Sequence, residues 1–272
     1  MNAKQVVSFR SAVWKFYRAH ARHDLPWRKT KNPYRILVSE VMLQQTQVAR
    51  VIEKYKEFLK TFPTIQVLAR SPLSQVLKVW SGLGYNRRAK YLHDCAKTVV
   101  SEYKSNLRKA LVHPLPGVGP YTRAAVLTFA CNEPHTMIET NIRTTYIHHF
   151  FASRTTHDRI QDGKVSDGEI LEIAAHAAEG QDPRTWHWAL MDYGSYLKKS
   201  GVRNNSSSTH YTKQSKFAGS LRQVRGEIIK ALSNSESIID LRGQYGEKLD
   251  EALEGLARDG LIKKRRNTWK VV

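Results

Sequence analysis

The chain has 272 residues, which suits one large domain or two modest ones. Its 44 lysines and arginines against 24 acidic residues give a net charge of +20, spread along the whole sequence, which favours a polyanionic partner, nucleic acid ahead of an anionic membrane. No apolar run reaches the ~18–20 residues of a membrane span, the start lacks the apolar centre of a signal peptide, and two cysteines exclude both a disulfide framework and a four-cysteine metal site.

Apolar residues recur at helical spacing almost throughout, so an all-α fold is expected. Val6, Val7, Phe9, Val13, Trp14, Phe16 and Tyr17 form an opening helix. Asn32-Pro33 reads as a cap followed by proline at the first helical position, launching Tyr34 to Gln44, and Gln47 to Phe62 follows at once. Ser71-Pro72 repeats that start before Leu73 to Trp80, and Arg87 to Tyr103 is a further amphipathic run. Next comes Leu115-Pro116-Gly117-Val118-Gly119-Pro120-Tyr121-Thr122, leading into the alanine-rich run Arg123 to Ala130. Glycines admit positive φ, and such a turn aims successive N–H groups at one spot beside a helix N-terminus, an anion site suited to a phosphate. Helices over 141–151, 166–178 and 184–198 complete a unit spanning 1–203.

Asn204-Asn205-Ser206-Ser207-Ser208-Thr209 is small, polar and aperiodic, so 204–215 reads as a polar linker. In 216–272, helices are expected at Leu221–Leu232, near Ser237–Arg242 and at Lys248–Asp259. Leu261 to Arg265 and Thr268 to Val272 read as a terminal hairpin, which makes this a small winged-helix-like module.

Two carboxylates stand out. Glu40 interrupts the apolar run Ile36-Leu37-Val38 and Val41-Met42-Leu43. If buried, desolvation favours its protonated form near neutrality, which a general acid needs; otherwise it lies on a polar face with Gln44, one turn on. Glu139, in Ile138-Glu139-Thr140-Asn141, follows the glycine turn by about twenty residues and either takes part in chemistry or caps the next helix.

The run Ser39-Glu40-Val41-Met42-Leu43-Gln44-Gln45-Thr46-Gln47, the turn Gly82-Leu83-Gly84-Tyr85 and the glycine hairpin with its downstream acid resemble, together and in order, the helix–hairpin–helix DNA glycosylases. Within these the resemblance is to the MutY-type adenine glycosylases, over roughly residues 6–198. It implies a monofunctional enzyme of base excision repair that hydrolyses the N-glycosidic bond of a flipped base in double-stranded DNA, adenine opposite 8-oxoguanine. Such an enzyme would be a DNA-associated intracellular monomer without a membrane partner.

The same resemblance assigns roles. Glu40 protonates the leaving base, and Glu139 stabilises the positive charge developing on the sugar, with Asn141 beside it. Tyr121 stands where strand-nicking relatives carry a Schiff-base lysine, so hydrolysis without efficient strand cleavage is expected, unless the tyrosine only packs the hairpin. Trp27, Arg28, Leu43 and Trp188 map to the base pocket, although Trp27 also suits a core. Gln45 fills the gap left by the flipped nucleotide, and Tyr85 wedges beside the partner base. Arg87, Arg88, Gly117, Val118, Gly119, Thr122 and Lys198 map to backbone contacts, the arginines serving equally well as ordinary surface charge; outside the resemblance, the basic hairpin with Lys264 and Arg265 suits tracking phosphates.

Three departures from the family pattern matter. The stretch where relatives begin a four-cysteine [4Fe–4S] motif is Leu197-Lys198-Lys199-Ser200-Gly201-Val202-Arg203, so no cluster is expected; a monovalent cation at the hairpin carbonyls fits. Glu139 replaces the usual aspartate, so its longer side chain must fold back or the sugar must sit farther away. Trp188 replaces a Gln or Glu that reads the adenine edge. Tryptophan has one donor and no acceptor, so it stacks on a base or packs in the core, and the excised base stays open. A glycosylase for uracil, thymine or hypoxanthine, or a DNA-binding protein that has lost catalysis, fits those departures.

Overall fold

The computed structural model describes residues 3–152, 164–212, 216–266 and 268–272. Among them are fourteen α-helices and a single two-stranded sheet, as the periodicity predicts. The chain divides into two compact units, each discontinuous: Met1–Lys31 with Arg123–Lys213, and Asn32–Thr122 with Gln214–Val272.

The first unit contains α1 (Ala3–His20), most of α8 (Pro120–Cys131), α9 (Thr140–Phe150), α10 (Asp167–Ala178) and α11 (Pro183–Lys199). Its core joins Phe9 and Val13 of α1 to Tyr146 and Ile147 of α9, Ile170 and Ala174 of α10, and Trp186 and Leu190 of α11. The Phe9 ring lies 5.0 Å from Tyr146 and 6.0 Å from Trp186, edge-on to the indole. Helix starts follow local chemistry. Ser166 and Glu169 form a reciprocal capping box on α10, and Asp182 with Pro183 caps α11. Gly194 lets α11 press against α9, because a Cβ there would stand 2.0 Å from the Asn141 carbonyl oxygen.

The first part of the stretch read as a linker, Asn204–Ser208, is built into this unit. Asn204–Ser207 forms a 3-10 turn, the Asn204 amide donates to the Thr144 carbonyl at 3.0 Å, and Ser208 is fully buried in a bridge to Val165. Asn and Ser suit a linker and a side-chain-pinned turn equally, so composition does not separate the two.

The second unit contains α2 (Pro33–Leu43), α3 (Val48–Thr61), α4 (Ile65–Arg70), α5 (Leu73–Trp80), α6 (Arg87–Tyr103) and the short α7 (Leu107–Ala110). Asn32 caps α2 and Pro33 begins it, as read from the sequence. Ser71 behaves differently: its hydroxyl turns back to Val67 O at 2.7 Å and closes α4, leaving Pro72 to cap α5. Phe58, Phe62, Leu77 and Trp80 are fully buried together with Leu37, Val38 and Met42 of α2. The same unit holds α12 (Leu221–Ser233), α13 (Ile239–Tyr245), α14 (Glu247–Arg258) and the antiparallel pair β1 (Ile262–Arg265) and β2 (Thr268–Val271), paired Ile262 to Val271 and Arg265 to Thr268. Helix α12 packs on α14 and on α5. The C-terminal segment is therefore compact with residues 32–122.

Candidate active site

In the second unit, the apolar face of α2 carries Glu40 inward. Its flanking residues are buried, and Glu40 itself is 8 % exposed, which excludes a fully solvated position beside Gln44. Burial of a carboxyl needs polar company. Tyr121, at the start of α8, places its Oη 3.5 Å from Glu40 Oε2, at the outer limit of a hydrogen bond. One turn on, Gln44 Nε2 donates to Thr122 Oγ1 at 3.3 Å, so the end of α2 is tied to the start of α8 at two points.

The hairpin that feeds α8 has the geometry its glycines predict. Gly117 has φ +69, Val118 N–H returns to Leu115 O at 3.1 Å, and Val118 buries its side chain. A Cβ on Gly117 would fall 2.5 Å from Tyr91 Cβ, so glycine is required there by both dihedral and space. Gly117 and Gly119 remain exposed ahead of Pro120, the first residue of α8.

Two further turns belong to this unit. Gln45 is exposed with φ +55, and Tyr85 has φ +49 after Gly82 at +93 and Gly84 at +69. Left-handed backbone is uncommon for such residues and persists only where surroundings enforce it. Arg88 is what enforces it. Its Nη1 donates to Val41 O at 2.9 Å, Met42 O at 3.0 Å and Gln44 O, while Nη2 reaches Thr46 Oγ1 at 3.1 Å and Leu83 O and Gly84 O at 3.2 Å. The guanidinium thus gathers the carbonyls ending α2 and ties the Gln44–Thr46 turn to the Gly82–Tyr85 turn. Burial pulls its pKa down to about 10. These donors face inward, so Arg88 is an internal brace and not a phosphate contact. Arg87 is exposed, bonded to Tyr91 Oη at 2.6 Å and 3.5 Å from Asp259.

In the first unit, Glu139 folds back over the start of α9. Its Oε1 accepts from Asn141 N at 2.8 Å and Ile142 N at 2.9 Å, and Oε2 accepts from Asn141 Nδ2 at 3.1 Å. The extra methylene is absorbed in this cap. A carboxylate offers about four acceptor sites, so capping leaves room on Oε2. The helix N-terminus also favours a negative charge there. Burial lowers the Lys198 pKa, and the Glu139 charge opposes that shift.

A second cluster in this unit surrounds Trp188. Arg28 donates to Asp192 through both Nη atoms, at 2.7 and 2.8 Å, and Arg22 Nε reaches the same carboxylate at 2.6 Å. The Arg28 and Asp192 side chains are 4 % and 1 % exposed. Burial would raise the Asp192 pKa, but hydrogen bonds and charge from Arg28 and Arg22 hold it below the usual carboxylate value. The Arg28 guanidinium carbon lies 5.3 Å from the centre of the Trp188 ring, and Phe129 stacks on that indole at 6.0 Å and 20°. Arg28 therefore supports Trp188, with both of its Nη atoms turned to Asp192. Trp27 is buried, as a core residue would be, while Leu43 and Trp188 are partly open.

Comparison with known proteins agrees with this geometry. Residues 38–166 match the model of the HhH-GPD superfamily base excision DNA repair proteins. An adenine DNA glycosylase of Mycolicibacterium smegmatis is 32% identical over 268 residues, 89% of each chain. The chain belongs to the HhH-GPD superfamily, among the adenine DNA glycosylases. It is a DNA N-glycosylase of base excision repair. The adenine DNA glycosylase of Mycobacterium tuberculosis (strain H37Rv) is 28% identical over 91% of this chain and 87% of its own. Among solved structures, a thermostable thymine-DNA glycosylase superposes with a TM-score of 0.61 at 25% identity, over 76% of this chain and 97% of that one. An endonuclease III–DNA complex shares the fold, with a TM-score of 0.60 at 18% identity over 77% and 93%.

Within this glycosylase, the structure brings Glu40 to Tyr121, Gln44 to Thr122, Glu139 to Asn141, and Arg28 to Trp188. Lys264 and Arg265 are exposed on β1, with Lys264 Nζ 6.0 Å from the Trp269 ring. Sequence reasoning missed Asp192, Arg22, Phe129, Gly194 and Arg222. Asp192 carried the signal that revealed Glu40, an acid inside the mostly apolar run Trp186 to Leu197.

Among the described residues, no helix is long and apolar enough to cross a membrane, and no group of His, Cys, Asp or Glu could hold a metal ion.

Proposed function

We propose that this glycosylase removes adenine paired with 8-oxoguanine in double-stranded DNA, by hydrolysis without a strand-cutting step. The observation that carries the reading is the buried Glu40 carboxyl beside Tyr121 on a helix anchored to the phosphate-binding hairpin. A shielded carboxyl can deliver a proton to the leaving base, and Glu139 supplies the fixed negative charge that favours a cationic sugar. Asn141 holds the Glu139 carboxylate through its side-chain amide. Tyr121 offers no amine, so no imine forms with the sugar at that position. Gly117, Val118, Gly119 and Thr122 present the hairpin to a phosphate. Arg87, Lys198, Lys264 and Arg265 add positive charge along the backbone, Gln45 fills the vacated stack, and Tyr85 faces the partner base. Adenine is the base named for the relatives from both mycobacteria.

An iron–sulfur cluster does not fit these residues. The chain has two cysteines, and a [4Fe–4S] cluster takes four. Where family members begin their cysteine motif, α11 instead closes on itself, with Val202 N bonded to Leu197 O at 3.0 Å and Arg203 Nη1 to Lys198 O at 2.7 Å. The reading is of a monomer that works on chromosomal DNA with no resident metal; a monovalent cation at the hairpin carbonyls is compatible with it.

Trp188 supports a second reading, in which the base is thymine, uracil or hypoxanthine. The indole, in contact with Arg28 and Phe129, has no acceptor for an adenine edge. Duplexes carrying each candidate base opposite 8-oxoguanine, guanine and cytosine decide between the two. Adenine release opposite 8-oxoguanine, visible only after hot alkali, is expected. Release of another base instead, or strand cutting without alkali, overturns the reading.

A further inference from the structure

Tyr85 is approached by two guanidinium groups that come from different parts of the second unit. Arg88 of α6, the brace described above, sits 5.3 Å from the ring centroid. Arg222, in the first turn of α12, sits 5.5 Å from it and donates from Nη1 to the phenol oxygen at 2.6 Å. These residues are 137 positions apart in the chain, and each is half-buried.

The Arg222 bond is part of a wider seam. Asp259, just after α14, binds Arg225 of α12 and approaches Arg87 of α6. Gly260 lies close enough to the Lys90 stem that an added Cβ would come within 3.1 Å. Helix α12 also packs on α5, which leads into the Gly82–Tyr85 turn. The C-terminal segment therefore grips both helices that flank Tyr85, and one of its side chains grips Tyr85 itself.

Backbone alone does not fix where this ring points. Glycines at 82 and 84 bend the turn and Arg88 braces its carbonyls, but neither sets the χ angles of the Tyr85 side chain. A charge-assisted hydrogen bond to the phenol tip removes that freedom. We propose that Arg222 is a positioning residue for Tyr85, and that through it the C-terminal module sets how strongly the enzyme distinguishes the base opposite its target. This rests on the reading of Tyr85 as the residue that faces the partner base. Arg222 need not touch DNA, because it acts on the free protein by ordering the ring before binding, a cost otherwise met from binding energy.

The test is a double-mutant cycle on the full chain: wild type, Arg222→Met, Tyr85→Phe and the pair. Methionine keeps an unbranched apolar stem without the donors, and phenylalanine keeps the ring without the phenol oxygen. Binding is measured by fluorescence anisotropy on duplexes holding a tetrahydrofuran abasic analogue opposite 8-oxoguanine or opposite cytosine, at one salt concentration. The readout is the ratio of the two Kd values, which simple destabilisation would not change. Each single variant is expected to lower that ratio about tenfold, the worth of one hydrogen bond to a charged group, and the pair to lower it no further. Arg222→Lys, which keeps a charged donor, is expected to recover part of it. An unchanged ratio in Arg222→Met, equal weakening on both duplexes, or losses that multiply in the pair would overturn the proposal. No base is excised in this assay, so it is independent of the adenine assignment. A wild-type protein that binds both duplexes equally would remove the Tyr85 reading itself.

Discussion

Replacing Gly194 with alanine should damage stability and catalysis together. The added Cβ would stand 2.0 Å from Asn141 O, 2.6 Å from Asn141 C and 2.7 Å from Thr145 Oγ1. The first two are backbone atoms of α9 and cannot swing aside. An ordinary contact needs about 3.5 Å, so α11 and α9 must part by roughly 1.5 Å along their closest line. A gap of that order forfeits more than half of the dispersion energy between facing groups, and small-to-large changes in packed cores cost about 1–3 kcal/mol. In a chain of this size that lowers the melting midpoint by about 2–10 °C. The displaced segment carries Asn141 and, just ahead of it, Glu139. Misplacing a reacting group by about 1 Å can lower a rate by about a hundredfold. Melting followed by circular dichroism and single-turnover base release measure the two effects. Gly226→Ala is the control: nothing lies within 4 Å of its Cβ, so α12 should be unharmed or gain up to about 1 kcal/mol from helix propensity. A Gly194→Ala protein with wild-type midpoint and rate would refute the claim that this contact sets the position of Glu139.

Two other expectations concern buried charge. Asp192→Asn removes the carboxylate facing Arg28, whose side chain is 4 % exposed, and should cost about 3 kcal/mol in urea unfolding, since breaking a buried pair strands the other charge; a loss below about 1 kcal/mol would contradict the pairing. Acid should weaken the fold early. Burial lowers the pKa of His93, His187 and His149, the last to about 4, against 6.5 for the unfolded residue. The unfolded chain then binds more protons, so stability is complete above about pH 6.5 and declines as pH falls towards 4. Depression of the Asp192 pKa extends the loss below 3.8. A urea midpoint at pH 5 equal to or above that at pH 7.5 would contradict this.

Helices were legible where apolar periodicity and caps coincided. Pro33 and Leu73 begin their helices as read, and Leu73–Trp80 and Arg87–Tyr103 agree at both ends. The short α4 and α7 passed unnoticed because one turn and a half carries too little periodicity to register. Glu40 was legible as an acid in an apolar run. What stayed hidden was pairing across long separations. Arg28 looked available for a base until Asp192, 164 residues away, occupied both its Nη atoms. Arg88 read as a phosphate contact or as ordinary surface charge until it met the carbonyls ending α2. No local pattern announces that Arg222 meets Tyr85, since hydrogen bonds at that range are set by tertiary packing.

The most direct test of the central claim is Glu40→Gln, measured on one duplex for both base release and affinity. Glutamine keeps the size of the side chain and the contact with Tyr121 but has no proton to give at neutral pH. Base release in a single turnover should fall by at least about a hundredfold, the usual worth of a positioned general acid. Affinity for the adenine:8-oxoguanine duplex should stay within a few fold of wild type. Undiminished release by Glu40→Gln would contradict the account, because the buried carboxyl would then not be the acid.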